Sequence, residues 1–393
     1  MSTSDLIYLD NNATTQIDPA AVEEMMPFLT TAYANPSSGY QCAAQVRRAL
    51  EQARERLAGT LGCEPSEIVF TSGGTESNNA AIHSALQFEP RGKHIVTTAV
   101  EHSAVRRHCQ ELAKRGCEVT FLGVDADGKL DLSELEEAIR PETAVVSVMW
   151  ANNETGVIFP VEKIAEICRS KRVFFHTDAV QVIGKMDLRL RGTAIHFLSL
   201  SAHKFHGPKG VGALYIRSGA RFQPSLIGGS HESGRRAGTE NVASIIGMGK
   251  AAERAGQKIA EEQKRVGAMR DRFESAMTAK IPGTIVNGAR ADRLSNTTSV
   301  SFEGVESQAA LMLLDRAGVC CSAGSACRTG SAEASHVLEA MHLSEERARS
   351  TLRFSFGRFN SEAELERACE LVPSVIGKLR NLRSPVAQTA PVS

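Results

Sequence analysis

No sign of charge predominates in this chain of 393 residues, where 45 lysines and arginines balance 45 aspartates and glutamates. A neutral total gives no electrostatic footprint for nucleic acid or for an anionic membrane. Apolar runs are short: none approaches the roughly 18–20 residues that span a bilayer. The opening Met1-Ser2-Thr3-Ser4-Asp5 has no basic stretch leading into an apolar one, so no secretory signal is read there. Paired cysteine spacing is missing too, and nine cysteines in a chain of this length make no disulfide framework. The expectation is a cytoplasmic protein with reduced thiols, in which residues such as Cys63 and Cys168 serve as small buried hydrophobes. Internal repeats and low-complexity blocks are absent as well.

What is present is an ordinary globular composition, 42% apolar and 23% charged, in a chain long enough for two lobes of unequal size. Short apolar runs alternate with longer amphipathic stretches, the pattern of an α/β fold with a mostly parallel sheet. Strands are predicted over residues 67–71, 94–98, 118–122, 144–150, 173–176, 195–199 and 211–216, and a helix over 76–86. A long helix over 241–280 is halted by Pro282-Gly283, and a strand over 298–302 and helices over 307–317 and 361–382 follow it. The last ten residues, 384–393, show no periodicity and are expected to be a disordered tail.

Three segments carry chemistry. Ser201 to Gly210 follows a predicted strand and holds Lys204 among Ser201, His203 and His206 before a Gly-Pro turn. A lysine so placed can form a Schiff base with an aldehyde cofactor, although alone it reads as a solvated side chain. The two histidines lack the further clustered ligands a metal site needs. His176 to Gln181 ends another strand and puts Asp178 at its carboxyl end, where open α/β sheets bind ligands. Thr71 to Asn79 joins strand to helix through Gly73-Gly74 and hydroxyls, a cradle for an anion at a helix N-terminus. It is not a P-loop, because the Gly-Lys-Ser/Thr ending is missing.

These segments, with Tyr8 to Thr15, Glu101-His102, Asn152 to Gly156, Gly234 to Asn241, Gly324 to Cys327 and Leu352 to Ser355, resemble in order and spacing the cysteine desulfurases of the class V aminotransferase family. The resemblance implies a fold-type I pyridoxal-phosphate enzyme: a large cofactor-binding domain over residues 14–255, and a small α+β domain from 1–13 and 256–393. Lys204 would hold pyridoxal phosphate, Asp178 would pair with its pyridine nitrogen, and His102 would stack on the ring and assist proton transfer. Asn153 and Gln181 would sit around its phenolic oxygen. Gly74, Thr75, Ser201 and His203 would bind the phosphate, and Thr239 would reach the phosphate of a neighbouring subunit in a homodimer. Arg353, and Asn153 with it, would bind the substrate carboxylate, a task suited to a planar guanidinium.

The same resemblance makes Cys327 the nucleophile that takes sulfur from L-cysteine as a persulfide and leaves alanine. The surrounding Gly, Ser and Ala residues, from Ser322 to Ser331, suit a mobile loop. The length of this segment is similar to that of relatives serving U-type iron–sulfur scaffolds. No resident metal is implied, only transient iron–sulfur contact at Cys327. Cys320 and Cys321, in an apolar approach, read as packing residues. Arg328 departs from the family pattern of a small hydroxyl residue; a guanidinium there favours the Cys327 thiolate or contacts an acidic acceptor. A selenocysteine lyase or other class V enzyme, and an inactive paralogue acting as a scaffold, stand as alternatives.

Overall fold

The computed structural model describes residues 6–88, 92–323 and 335–383. The Cys327 segment and the tail after residue 383 lie outside the described residues.

A seven-stranded sheet is ordered Ile68–Thr71, Gly212–Ile216, Phe197–Ser201, Phe174–Asp178, Thr143–Ser147, His94–Thr98 and Glu118–Leu122. Only Gly212–Ile216 runs against its neighbours. The inner strands are rich in apolar residues and are buried throughout, as strands covered by helices on both faces must be. The edge strand Glu118–Leu122 alternates polar residues and is largely open.

Four antiparallel strands, in the order Ser322–Ala323, Thr351–Ser355, Thr297–Phe302 and Thr284–Val286, form a second sheet over its own apolar core. Ile7–Tyr8 pairs in parallel with Val319–Cys320 and ties the start of the chain to that core. The 39-residue helix Val242–Lys280 joins the two lobes. Its first half packs Ile245, Met248 and Ala252 into the large core, and its second half packs Met269, Phe273 and Met277 into the small one. Close approach is built into the first half: a Cβ on Gly249 would lie 2.7 Å from that of Ala53 on the helix Gln41–Leu61.

The mostly parallel sheet, the long helix and the second α+β unit agree with the sequence reading. One strand is shorter than expected. The segment read as 144–150 ends at Ser147, because the Met149 N–H turns to the Glu101 carboxylate at 2.8 Å. The helix read from Glu76 begins two residues earlier, at Gly74. Cys63 and Cys168 are buried, as expected. No helix among the described residues is long and apolar enough to cross a membrane.

Candidate active site

The parallel strands end on one side of the large sheet, and the chain places its chemistry there. Asp178 is the last residue of its strand and Ser201 of the next. A 3₁₀ turn over Ala202–Lys204 then lifts Lys204 over the sheet edge. The strand Ile68–Thr71 leads into Gly73 and Gly74, and the latter opens the helix Gly74–Phe88. A cavity of about 650 Å³ is lined by Gly74, Thr75, His102, Asn153, Asp178 and Gln181. Ser201, His203, Lys204 and Arg353 line it as well. Ten of the candidate residues, distant in sequence, therefore meet in one space. Thr239 is exposed and does not line the cavity of its own chain. Cys327 and Arg328 lie outside the described residues.

Asp178 is held from two sides: Asn78 Nδ2 donates to its Oδ2 at 2.6 Å, and the Val180 N–H donates to Oδ1 at 3.0 Å. His102 caps the helix Ser103–Lys114, its Nδ1 accepting from the Ala104 N–H at 3.1 Å. An Nδ1 that accepts leaves the ring proton on Nε2. His203 meets Thr14 Oγ1 through Nδ1 at 3.1 Å. Burial, with Lys204 and Lys209 nearby, pushes its pKa down to about 4, so the ring is neutral near pH 7.

Lys204 Nζ donates to the carbonyls of Asn12 at 2.5 Å and Ala13 at 2.8 Å. Arg353 stands mid-strand in Thr351–Ser355 and is 2% exposed. Its guanidinium donates to Asn153 O at 2.9 Å and to Asp10 Oδ1 at 2.6 Å. Its buried Nε finds no acceptor among the described residues.

The cradle at Gly74 fits a phosphate. The first N–H groups of a helix have no intrahelical acceptor and carry the positive end of its dipole. A Cβ at position 74 would come within 2.7 Å of Val180 Cγ2, so glycine is required for this turn to sit against the sheet. Glu76, one residue beyond the cradle, would repel an anion if its charge stood alone. Burial opposes its ionisation, but hydrogen bonds from Arg236 and Ser72 outweigh burial and hold the carboxyl below its ordinary range. Arg106, Arg107 and Lys209 add positive charge to the lining. An amine at the sheet edge, a buried carboxylate beneath and an anion cradle beside them match the aldehyde, pyridine nitrogen and phosphate of pyridoxal phosphate. No group of three or more metal-ligating side chains occurs among the described residues.

Four buried or enclosed residues of this site escaped the sequence reading. Asn12, 1% exposed, accepts from Lys204 and Gln181 through its carbonyl and donates through Nδ2 to Asn153 O at 3.1 Å and Thr297 Oγ1 at 2.8 Å. Asn78 holds Asp178. Glu101 is fully buried, and burial pushes its pKa up to about 8. Lys185 donates to Gln181 Oε1 at 2.8 Å. Asn12, Asn78 and Glu101 fall inside segments already singled out, but only tertiary contacts reveal what they hold. Lys185 had one signal, its place four residues after Gln181.

Known proteins resemble this chain in both sequence and fold. Aminotransferase class-V is the family that matches, over residues 7–368. The chain is 51% identical over 375 residues to "Cysteine desulfurase 2" of Trichormus variabilis, covering 95% of this chain and 94% of that one. A solved NifS-like protein superposes with a TM-score of 0.89 at 37% identity, covering 95% of this chain and 100% of its own. The structure titled "SspA in complex with cysteine" superposes with a TM-score of 0.80 at 35% identity, covering 90% and 99%. With that likeness running nearly end to end, the chain belongs to the class-V aminotransferase family, among its cysteine desulfurases.

Proposed function

We propose that the chain converts L-cysteine to L-alanine with pyridoxal phosphate on Lys204, and passes the sulfur to Cys327 as a persulfide. One observation carries this reading: the Lys204 amine, the buried Asp178 carboxylate and the Arg353 guanidinium line a single cavity at the carboxyl ends of the strands. When bound, pyridoxal phosphate supplies an aldehyde for amines and a ring that takes up the electron pair released at the substrate α-carbon. The chain does the rest. Asp178, fixed by Asn78, keeps a proton on the pyridine nitrogen, and Gly74, Thr75, Ser201 and His203 hold the phosphate. Arg353 receives the substrate carboxylate, to which its buried Nε offers a donor. Lys204 takes the α-proton as general base, and His102, with Nε2 carrying its proton, serves the other proton movements.

The Cys327 thiolate then attacks the substrate sulfur. The C–S bond of cysteine breaks, an S–S bond forms on the enzyme, and Cβ gains a proton, so cysteine and thiol become alanine and persulfide. Arg328 beside Cys327 favours the thiolate. The exposed Thr239 completes the phosphate site of a second copy in a homodimer, and the sulfur goes on to an iron–sulfur scaffold protein. The likeness to a structure titled with bound cysteine supports the substrate.

A visible spectrum, followed by sulfide and alanine assays with L-cysteine and a reductant, tests the reading. Cys327→Ser keeps the cofactor band and its response to cysteine but releases no sulfide. Full sulfide production by that variant would remove Cys327 from the mechanism.

A further inference from the structure

Arg353 already carries a carboxylate partner of the chain's own. Its Nη2 donates to Asp10 Oδ1 at 2.6 Å, and its Nη1 to Asn153 O at 2.9 Å. Arg353 lines the large cavity, whereas Asp10 does not. The arginine thus has two sides. One faces the cavity, and Asp10 holds the other.

The small sheet fixes that partner in place. Leu9, just before it, donates its N–H to Cys320 O at 2.9 Å and accepts from the Ser355 N–H at 2.7 Å. The Asn11 N–H, just after it, donates to Ser355 O at 3.1 Å. The backbone on both sides of Asp10 is therefore stitched to the strand that carries Arg353. Ser322 stands opposite Arg353 in the neighbouring strand, and its Oγ donates to Asp10 Oδ2 at 2.9 Å. Each carboxylate oxygen has its own donor, which leaves the group little freedom to turn.

We propose that Asp10 is a positioning residue that offsets the charge of Arg353 and so loosens the grip of the site on α-carboxylates, substrate and product alike. It rests on the reading of Arg353 as the group that receives the substrate carboxylate. Cysteine and alanine differ at the sulfur but share that carboxylate, so an unpaired buried guanidinium would hold both tightly. Binding that is equal for both does nothing for the chemical step and slows release of the product. Arginine keeps its proton throughout, so its charge can be moderated only by a nearby anion.

The sign of the effect follows from Coulomb's law. A ligand carboxylate on the cavity side meets the Asp10 charge across the width of one guanidinium, where like charges inside a protein still repel. Removing one partner of a buried pair leaves an uncompensated charge, here one that a ligand carboxylate can answer. Other charged groups line the cavity, Asp178, Glu154, Lys204 and Lys209 among them. Their fields act on the ligand whether or not residue 10 is charged, so a substitution there isolates its share.

Asp10→Asn removes the charge and little else. Asparagine keeps an oxygen for Arg353 Nη2, and the Ser322 hydroxyl can turn to accept from the new amide. Titration of the holoenzyme with L-alanine, followed by the shift of its cofactor band, reads a dissociation constant without turnover. The variant is expected to bind L-alanine about tenfold more tightly than the parent. Ethylamine, the same amine without the carboxylate, is expected to bind both equally. Damage to the site would weaken binding, so a gain confined to the carboxylate ligand is not disruption. Should Asp10→Asn not fold, Asp10→Ser carries the same expectation, because it too removes the charge. Unchanged or weakened affinity for L-alanine in a folded variant overturns the proposal. Arg353→Gln separates it from the reading beneath it, since that variant should cost L-alanine its advantage over ethylamine. If the advantage survives, Arg353 is not the carboxylate receiver and the proposal falls with it. If the advantage is lost while Asp10→Asn binds L-alanine as the parent does, Asp10 alone is misassigned.

Discussion

Glu101 shows how one buried side chain can both shape the site and tax the fold. It is completely enclosed and accepts from Thr98 Oγ1 at 2.9 Å and from the Met149 N–H at 2.8 Å, while its Oε2 has no partner among the described residues. Its backbone carbonyl receives His336 Nε2 at 3.0 Å, from the segment just after the Cys327 stretch. Burial raises its pKa from 4.5 to about 8; the Met149 N–H opposes that rise, Asp178 adds to it and Thr98 opposes it. In the unfolded chain the carboxyl ionises near its ordinary value, so between about pH 4.5 and pH 8 the unfolded state binds fewer protons than the folded one. This group's contribution to stability is fully present below that window and is lost as pH rises through it. Glu101→Gln cannot ionise and removes the slope. Urea unfolding at pH 5 and pH 8 is expected to show the variant gaining on the parent at the higher pH, by on the order of a few kcal/mol. A difference between variant and parent that stays constant with pH would show the carboxyl to be ionised in the folded chain.

At the scale of elements, the helix Gly74–Phe88 owes its function to its first residue. Gly74→Ala would press a Cβ against Val180, a buttress two residues past Asp178, so relief of the 2.7 Å contact moves either the cradle or the carboxylate turn. Cofactor affinity, read from the visible band during dialysis, is expected to fall at least tenfold, with Val180→Ala in the same chain restoring much of it. Undiminished affinity in Gly74→Ala would place the phosphate elsewhere. This cradle was legible because glycines, hydroxyls and a strand-to-helix change sit side by side in the sequence. The helices Pro19–Thr30 and Gln41–Leu61 were not read. The second buries Ala43, Val46, Leu50, Ala53 and Leu57, a stripe at helical spacing but built largely of alanine among arginines and glutamates, so its apolar contrast is faint. The first carries a clear Asp18 cap and Pro19 start, but Pro27 interrupts its pattern. The strand Thr143–Ser147 was overextended because what stops it, the Glu101 side chain, lies 48 residues upstream of Met149.

Across the whole molecule, the cavity draws Lys204 and Asp178 from the large sheet and Arg353 from the small one, with Asn12 bridging them through hydrogen bonds to both. Residues whose neighbours in sequence form a motif were legible; Asn12 and Lys185 were not, because their work depends on partners about 190 and 170 residues away. Thr239 presents the complementary case: its motif is plain in the sequence, yet it lies exposed and off the cavity of its own chain. Its segment is anchored by the two residues Arg236 and Ala237, just ahead of it. Arg236 pairs with Glu76 beside the cradle at 2.9 Å, and the Ala237 N–H bonds to Leu226 O. Leu226 therefore sits beside Ala237, two residues before Thr239, and Ile227, next after Leu226, is 86% exposed. An apolar side chain so open, on a loop bonded to the segment expected to serve a second copy, fits a surface that is covered on dimerisation. Ile227→Asp would bring two buried negative charges into a symmetric contact if the residue lies near the dyad, or one on each side if it does not. Either arrangement weakens association, by several kcal/mol where the charge finds no partner. Sedimentation equilibrium is expected to show a shift towards monomer, and cofactor occupancy at a fixed, limiting concentration should fall in step, because each phosphate site loses its Thr239. A monomeric variant that keeps full occupancy would separate Thr239 from the phosphate, and a dimer unaffected by the change would move the interface away from this surface.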